Sequence, residues 1–208
     1  MMSNYRKTTK RNYIKKGGHN MICCNSDYKK LLEKICKEGN DVKNTYELLG
    51  TKVDVMLSDT KTVKEIFNIS DEFESEFVES ICKFIPKAIG PYITEKYFLL
   101  IPELKAAVDQ LKNDCEETRR AVITFPKEHC FQSIQFLVRE NTINVVCFMR
   151  SCDAVKNLPC DAWLCYKLAD MFAYYMNETL KESPYKCHKL TMMFGSLHVY
   201  KEDILDVL

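Results

Sequence analysis

The sequence predicts a mixed α+β domain, and two observations carry that prediction. Ile134, Phe136 and Val138 alternate with their neighbours within residues 119–150, as do Ile143, Val145, Cys147 and Met149. A period of two marks a half-buried strand. The run AWLCYKLADMFAYYM over 162–176 is apolar almost all round, the composition of a helix buried through the centre of a domain. The 208 residues are enough for one sizeable core. A single domain is expected over 26–208, behind a flexible basic arm at 1–25.

The elements follow in order. Ser26 and Asp27 suit the start of a helix with Leu31, Leu32 and Ile35 on one face, and Gly39 suits its end. Tyr46 to Leu57 reads as a strand with a Leu-Gly bend in its middle. Asp71 to Ile85 carries Phe73, Phe77, Ile81 and Phe84 at helical spacing, and Pro86, Gly90 and Pro91 break it. Pro102 suits the first turn of a further helix, with Leu104, Val108 and Leu111 as its buried stripe. Glu140 and Asn141 separate two alternating runs, so a hairpin is expected there. A last strand pattern runs from Leu190 to Tyr200.

Apolar residues make up 46% and the formal charge is +1. That balance fits an ordinary globular protein rather than a nucleic-acid coat or a charged tail. No apolar run has the length of a membrane span, and the basic start lacks the apolar stretch of a secretory signal. The expectation is a cytoplasmic protein (host cytoplasm, if the source is viral) with no membrane or nucleic-acid partner. Reduced thiols are therefore expected for the eleven cysteines. His19, Cys23 and Cys24 lack the two-by-two spacing of a structural zinc site, so no metal is expected.

Several motifs recur in a fixed order. QFLVRENTINVVCFMRSCD spans Gln135 to Asp153, with Cys130 five residues before it. Leu158-Pro159-Cys160-Asp161 follows. Arg119-Arg120 lies upstream and His198-x-Tyr200 downstream. Together they resemble the thymidylate synthases, including their deoxycytidylate hydroxymethylase branch. The family carries a nucleophilic Cys, a QFxV strand, Arg-Ser-x-Asp, Leu-Pro-x-Asn and His-x-Tyr at matching separations. The resemblance covers roughly 27–57 and 103–204. It implies a thymidylate synthase-like mixed sheet with a long buried central helix.

The chemistry that this implies is specific. C5 of a pyrimidine is a poor nucleophile until a thiolate adds to C6 and makes C5 an enamine carbon. Cys130 is the implied nucleophile. Arg150 would lie beside it and, with Ser151, hold the phosphate in bidentate fashion. Arg119 and Arg120 would complete that grip from the partner of a symmetric homodimer. His198 and Tyr200 alternate, so they share a face; in the family they bond the sugar 3′-hydroxyl. Asp153 corresponds to a pterin-contacting aspartate.

Asp161 departs from the uracil-using members, which have Asn. Asn donates to O4 and accepts from N3–H, whereas cytosine presents an amino donor and an acceptor N3. A carboxyl answers the cytosine pattern, and the cytidylate hydroxymethylases carry this change. The expected activity is C5 hydroxymethylation of dCMP or CMP, with 5,10-methylenetetrahydrofolate as donor and water attacking the exocyclic methylene.

Other features depart further. The segment before Pro102 is short and lacks the family's Trp-rich stretch; Trp163 is the only tryptophan. Glu79, or Glu76, would stand for the catalytic Glu. The flexible family arginine is replaced by Asn40 or Asp41, with Lys43 nearby, and Asn157 replaces a glycine. The sequence stops at Leu208, where the family continues into a tail that closes over folate, so weak folate binding, use of another donor, or no catalysis is expected. Two other readings stay open: a thymidylate synthase acting on dUMP, and a non-catalytic homologue that binds a pyrimidine nucleotide.

Overall fold

A computed structural model describes residues 20–58, 62–70, 72, 90–114, 117–177 and 185–207; for 90–101, 177 and 206 only the backbone is described. Within these residues the chain is a mixed α+β fold around one mixed sheet of seven strands. In chain order the elements are β1 (Asn20–Ile22), α1 (Asn25–Glu38), β2 (Asn40–Val42), β3 (Thr45–Met56), α2 (Val63–Phe67), α3 (Gly90–Asp114), β4 (Val122–Thr124), β5 (Phe131–Arg139), β6 (Thr142–Asp153), α4 (Leu158–Asn177) and β7 (Lys186–Tyr200). A 3-10 turn (Lys201–Asp203) and α5 (Ile204–Val207) follow. The sheet order is β1-β3-β7-β6-β5-β4, with β2 hairpinned onto β3. No helix among the described residues is long and apolar enough to cross a membrane.

Local rules explain most of these elements. Glu140 and Asn141 both have positive φ (49° and 61°), as the two-residue loop of a tightly twisted hairpin requires. That loop sets the β5–β6 register, pairing Phe136 with Val145 and Ile134 with Cys147. α4 turns a broad face inward, with Cys165, Leu168, Ala169, Phe172, Ala173 and Met176 buried at helical spacing, while Asp170 and Tyr174 are exposed on the other side; the burial almost all round expected from its composition is not what the fold gives. The helix packs on β6 and β7 and against α3. Phe172 stacks on Phe136 with ring centroids 4.4 Å apart and planes within 3°.

Three expectations need correction. Residues 20–25 do not belong to an arm: Asn20–Ile22 pairs in parallel with Val53–Val55, and Ile22 is fully buried. A short apolar pair behind a basic stretch gives too little periodicity to betray such a strand. Pro102 sits inside α3, not in its first turn. Its lost backbone bond is tolerated because helix-forming sequence continues on both sides. Gly39 ends α1 with φ −66° rather than in the left-handed region. It serves close approach instead, since a Cβ there would lie 2.4 Å from the Ile35 carbonyl oxygen. The helix expected over Asp71 to Ile85 falls almost wholly outside the described residues.

One feature shapes the candidate site. The ladder steps from Leu49↔Ser196 to Thr51↔Phe194 on one side of β7, and from Met149↔Phe194 to Ser151↔Ser196 on the other. Gly50, Gly195 and Arg150 therefore lie in one line across three strands. The register is kept across this line, whereas in β5 it shifts between Phe131 and Ser133, opposite Met149 and Phe148. Burial changes phase at this line. Ile143, Val145, Cys147 and Met149 are buried, then Cys152; Met192 and Phe194 are buried, then Leu197 and Val199. Two consecutive residues, Arg150 and Ser151, thus fall outside the buried face, as an irregular ladder step allows. Gly50 takes φ 58°, a conformation that favours glycine.

Gly195 makes the line possible. A Cβ at this position would sit 2.7 Å from the Arg150 carbonyl oxygen, a backbone atom that cannot turn aside. Gly195→Ala is expected to cost about 1–3 kcal/mol through overpacking. A fall in the thermal unfolding midpoint checks it; an unchanged midpoint contradicts the close approach.

Candidate functional site

The residues singled out in the sequence gather largely at one end of the sheet. Cys130 immediately precedes β5, and its carbonyl accepts a bond from the Arg150 amide at 2.9 Å. The Arg150 side chain turns back along the same loop. Its Nε donates to the His129 carbonyl at 3.2 Å and its Nη2 to the Glu128 carbonyl at 3.4 Å. Cys130 is half-buried and Arg150 exposed, and the two residues are tied together by main-chain and side-chain bonds along the same two chain segments. An arginine so placed offers a fork to a phosphate.

The parallel β6–β7 register supplies the next group. Asp153 pairs with His198 and Ser151 with Ser196, so Ser151, Asp153, His198 and, two residues on, Tyr200 share one side of their strands. The rings of His198 and Tyr200 meet edge-on at 5.3 Å. Burial lowers the His198 pKa, against the pull of the Asp153 and Glu47 carboxylates. The neutral imidazole this favours can donate from one nitrogen and accept at the other. Glu47 lies across from His198 on β3 and accepts from the Ser196 hydroxyl at 2.6 Å. Asp153 is 5% exposed; its Oδ1 accepts the amides of Val155 and Lys156 at 2.9 and 3.1 Å. This turn delivers the chain from β6 into α4.

Asp161 occupies the first turn of α4, where the helix dipole favours a carboxylate. Its Oδ2 accepts a bond from the Cys152 thiol at 3.6 Å. Cys152 is two residues from Arg150 on β6, so the carboxylate is tied to the strand that carries the guanidinium. Burial pushes the Cys152 thiol well up, and the charge of Asp161 pushes it further. Burial likewise pushes Cys160 up to about 12. These thiols stay protonated and inert. The nine described cysteines are all unpaired thiols.

Other candidates lie elsewhere. Arg119 and Arg120 are exposed and precede β4 at the sheet edge. Arg120 pairs with Asp114 at 3.2 Å, and the Arg119 carbonyl accepts from Gln135 at 2.7 Å. Next to them, Ala121 meets Phe136, the partner of Val145. Val145 is five residues along β6 from Arg150, about 17 Å at ~3.3 Å per residue. The chain does not bring these arginines to Arg150 by itself. Lys43 lies in the β2–β3 turn, where its carbonyl accepts from Lys201 at 2.9 Å. Glu79 and Glu76 fall outside the described residues, as does His19. A groove of about 210 Å³ between α3 and α4, lined by Lys105, Val108, Asp109, Lys112 and Tyr175, holds none of the site residues.

Three neighbours of the site were not anticipated. Cys152 is the unspecified position of Arg-Ser-x-Asp, and nothing in its spacing links it to Asp161. Glu47 gives no signal beyond alternation in β3. Lys156 lies 5.5 Å over the Tyr200 ring and pairs with Asp203 at 3.0 Å and Glu202 at 3.5 Å. No protein-family model matches the sequence, and no curated protein matches it.

Proposed function

We propose that this chain is a pyrimidine-nucleotide C5 hydroxymethyltransferase of thymidylate synthase-like fold, acting on dCMP (or CMP) and yielding 5-hydroxymethyl-dCMP. The observation that carries the reading is the Cys130–Arg150 junction, with Asp161 reached through Cys152. A nucleotide laid along this end of the sheet would meet a thiol, a phosphate fork and a base-reading carboxyl in that one neighbourhood.

Arg150 and Ser151 hold the phosphate, and His198 with Tyr200 hold the sugar 3′-hydroxyl. The Cys130 thiolate attacks C6, forming an S–C6 bond while the C5–C6 π pair moves to C5. C5 then bonds an electrophilic carbon or takes a proton from solvent. Where C5 has bonded the electrophilic carbon, loss of the C5 hydrogen as a proton would expel the donor's nitrogen and leave an exocyclic methylene, and water adding to that methylene would re-form the C5–C6 double bond and expel the thiolate; where C5 has only taken a proton, loss of the original C5 hydrogen expels the thiolate directly. Asp161 accepts from the cytosine amino group throughout.

Methylenetetrahydrofolate, the donor implied by the resemblance, would supply the one-carbon unit. Asp153 fits a pterin contact poorly, because it is 5% exposed and its Oδ1 already holds two amides. That same engagement favours a second reading, a nucleotide-binding protein without folate chemistry. One assay separates them: release of tritium from [5-³H]dCMP and [5-³H]dUMP, with and without methylenetetrahydrofolate. Release from dCMP alone is expected. Release from dUMP alone supports a thymidylate synthase. Release from neither, with nucleotide binding retained, supports the second reading and contradicts the first.

A homodimer completes the proposed phosphate grip, with Arg119 and Arg120 donated across the interface. Its support is the face of the sheet opposite α4. There Phe148 and Met193 are adjacent in register and each 43% exposed; Leu49 on β3 and Met21 on β1 are exposed too. Stable dimers bury roughly 800 Å² per partner, and exposed apolar side chains grouped on a sheet mark such surfaces. Light scattering is expected to give a dimer mass for the wild type. Phe148→Asp combined with Met193→Asp is expected to give a folded monomer with phosphate-dependent affinity reduced about tenfold or more. A wild-type monomer would contradict the shared site.

A further inference from the structure

We propose that Cys152 is a positioning residue for base recognition: its thiol holds the Asp161 carboxylate in the orientation that reads the exocyclic amino group of a cytosine ring. The role rests on the cytidylate reading of the site and names how its specificity is set.

Cys152 cannot meet a ligand itself. It is 2% exposed and pairs in register with Leu197, which is fully buried. Its sulfur donates to Asp161 Oδ2 at 3.6 Å, an ordinary length for a bond through sulfur. The same sulfur lies 3.4 Å from the Asp153 carbonyl oxygen. A thiol has one proton to give, and a carboxylate draws it more strongly than a neutral carbonyl.

Burial and the Asp161 charge both keep the thiol in its S–H form. It is thus a donor at every physiological pH and never competes with Cys130 as a nucleophile. The carboxylate has a broad terminal torsion, so a partner on one oxygen is needed to define its plane. Cys152 provides that partner from a strand, while α4 sets the Asp161 backbone. Both supports are rigid elements, as a precise site requires. A thiol is a weak donor, so it orients the carboxylate without consuming much of its accepting strength.

The test uses the full chain in two measurements. In equilibrium binding, the wild type is expected to prefer dCMP over dUMP. Cys152→Ala is expected to lose about three- to tenfold of that preference, the worth of one hydrogen bond from a weak donor, by weaker dCMP binding alone. Cys152→Ser, which keeps a donor, is expected to recover most of it. The infrared S–H stretch of Cys152, assigned as the band missing in Cys152→Ser, is expected to move toward that of an unbonded thiol in Asp161→Ala. The band needs no nucleotide and no Cys152→Ala variant, so it decides the contact even if Cys152→Ala fails to fold. A band indifferent to Asp161→Ala overturns the proposal, as does a folded Cys152→Ala with undiminished dCMP preference. A wild type that binds neither nucleotide, or prefers dUMP, overturns the cytidylate reading and this role with it. A wild type that prefers dCMP beside an indifferent Cys152→Ala overturns the role alone.

Discussion

Cys130→Ala abolishes release of tritium from [5-³H]dCMP, a loss expected to exceed about a thousandfold, while dCMP affinity changes by less than about threefold. The asymmetry follows from what each atom does. The sulfur forms a bond only during the reaction, so its removal takes away stabilisation of the transition state and little ground-state binding. The loop around it is held by main-chain atoms: the Cys130 carbonyl bonds the Arg150 amide, and the His129 and Glu128 carbonyls hold the guanidinium. None of these bonds uses the sulfur, so the phosphate fork survives the substitution. Cys130→Ser is expected to behave alike, because a hydroxyl beside one arginine is a far weaker nucleophile than a thiol. Equal losses in binding and in release would mean that Cys130 serves packing rather than chemistry. Cys147, Cys152, Cys160 and Cys187 do not take over, because burial raises each of these thiols.

Asp161→Asn reverses the order of preference between cytidylate and uridylate. A carboxyl accepts from the cytosine amino group, while an amide donates to a uracil O4 and accepts from its N3–H. A buried polar group without its partner costs about 1–3 kcal/mol. Two mismatched edges then correspond to a swing of roughly 100-fold or more in relative affinity. The first turn of α4 accommodates Asn as well as Asp, and the Cys152 thiol can donate to either side chain, so the fold is expected to stand. Competition binding of dCMP against dUMP measures the swing. An unchanged ratio would remove Asp161 from base reading.

The residues explain which parts of this architecture could be read in advance. The β5–β6 hairpin was legible because alternation and a two-residue loop of Glu140 and Asn141 depend on neighbouring residues alone. The central helix was legible from its apolar composition, but its outward side was not: Asp170 and Tyr174 are exposed, and aromatic residues such as Tyr174 hide that side in a count of apolar positions. His198 and Tyr200 share a side, as alternation requires, with Leu197 and Val199 turned inward. The aligned irregularity through Gly50, Gly195 and Arg150 could not be read, because it exists only once three strands are set in register. Its consequence is functional in the proposed site: the change of phase frees Arg150 and Ser151 together, where strict alternation would bury one of them.

Other misses share that origin. Cys152 and Asp161 meet only because β6 runs under the start of α4, a contact across the chain reversal at Asp153–Asn157. Gly39 is dictated by the passing Ile35 carbonyl and Glu47 amide, not by a helix-capping conformation. Strand β1 owes its existence to β3, with which Asn20–Ile22 pairs. In each case a partner distant in sequence determines what the residue does.

The most direct measurement is a crystal structure of the protein with dCMP. The proposed chemistry places C6 of the pyrimidine about 3–3.5 Å from the Cys130 sulfur, a near-attack separation, with the amino group toward Asp161 and the phosphate on Arg150. A nucleotide bound elsewhere, or a ring whose edge faces the sulfur while Asp161 touches no part of the base, would contradict it.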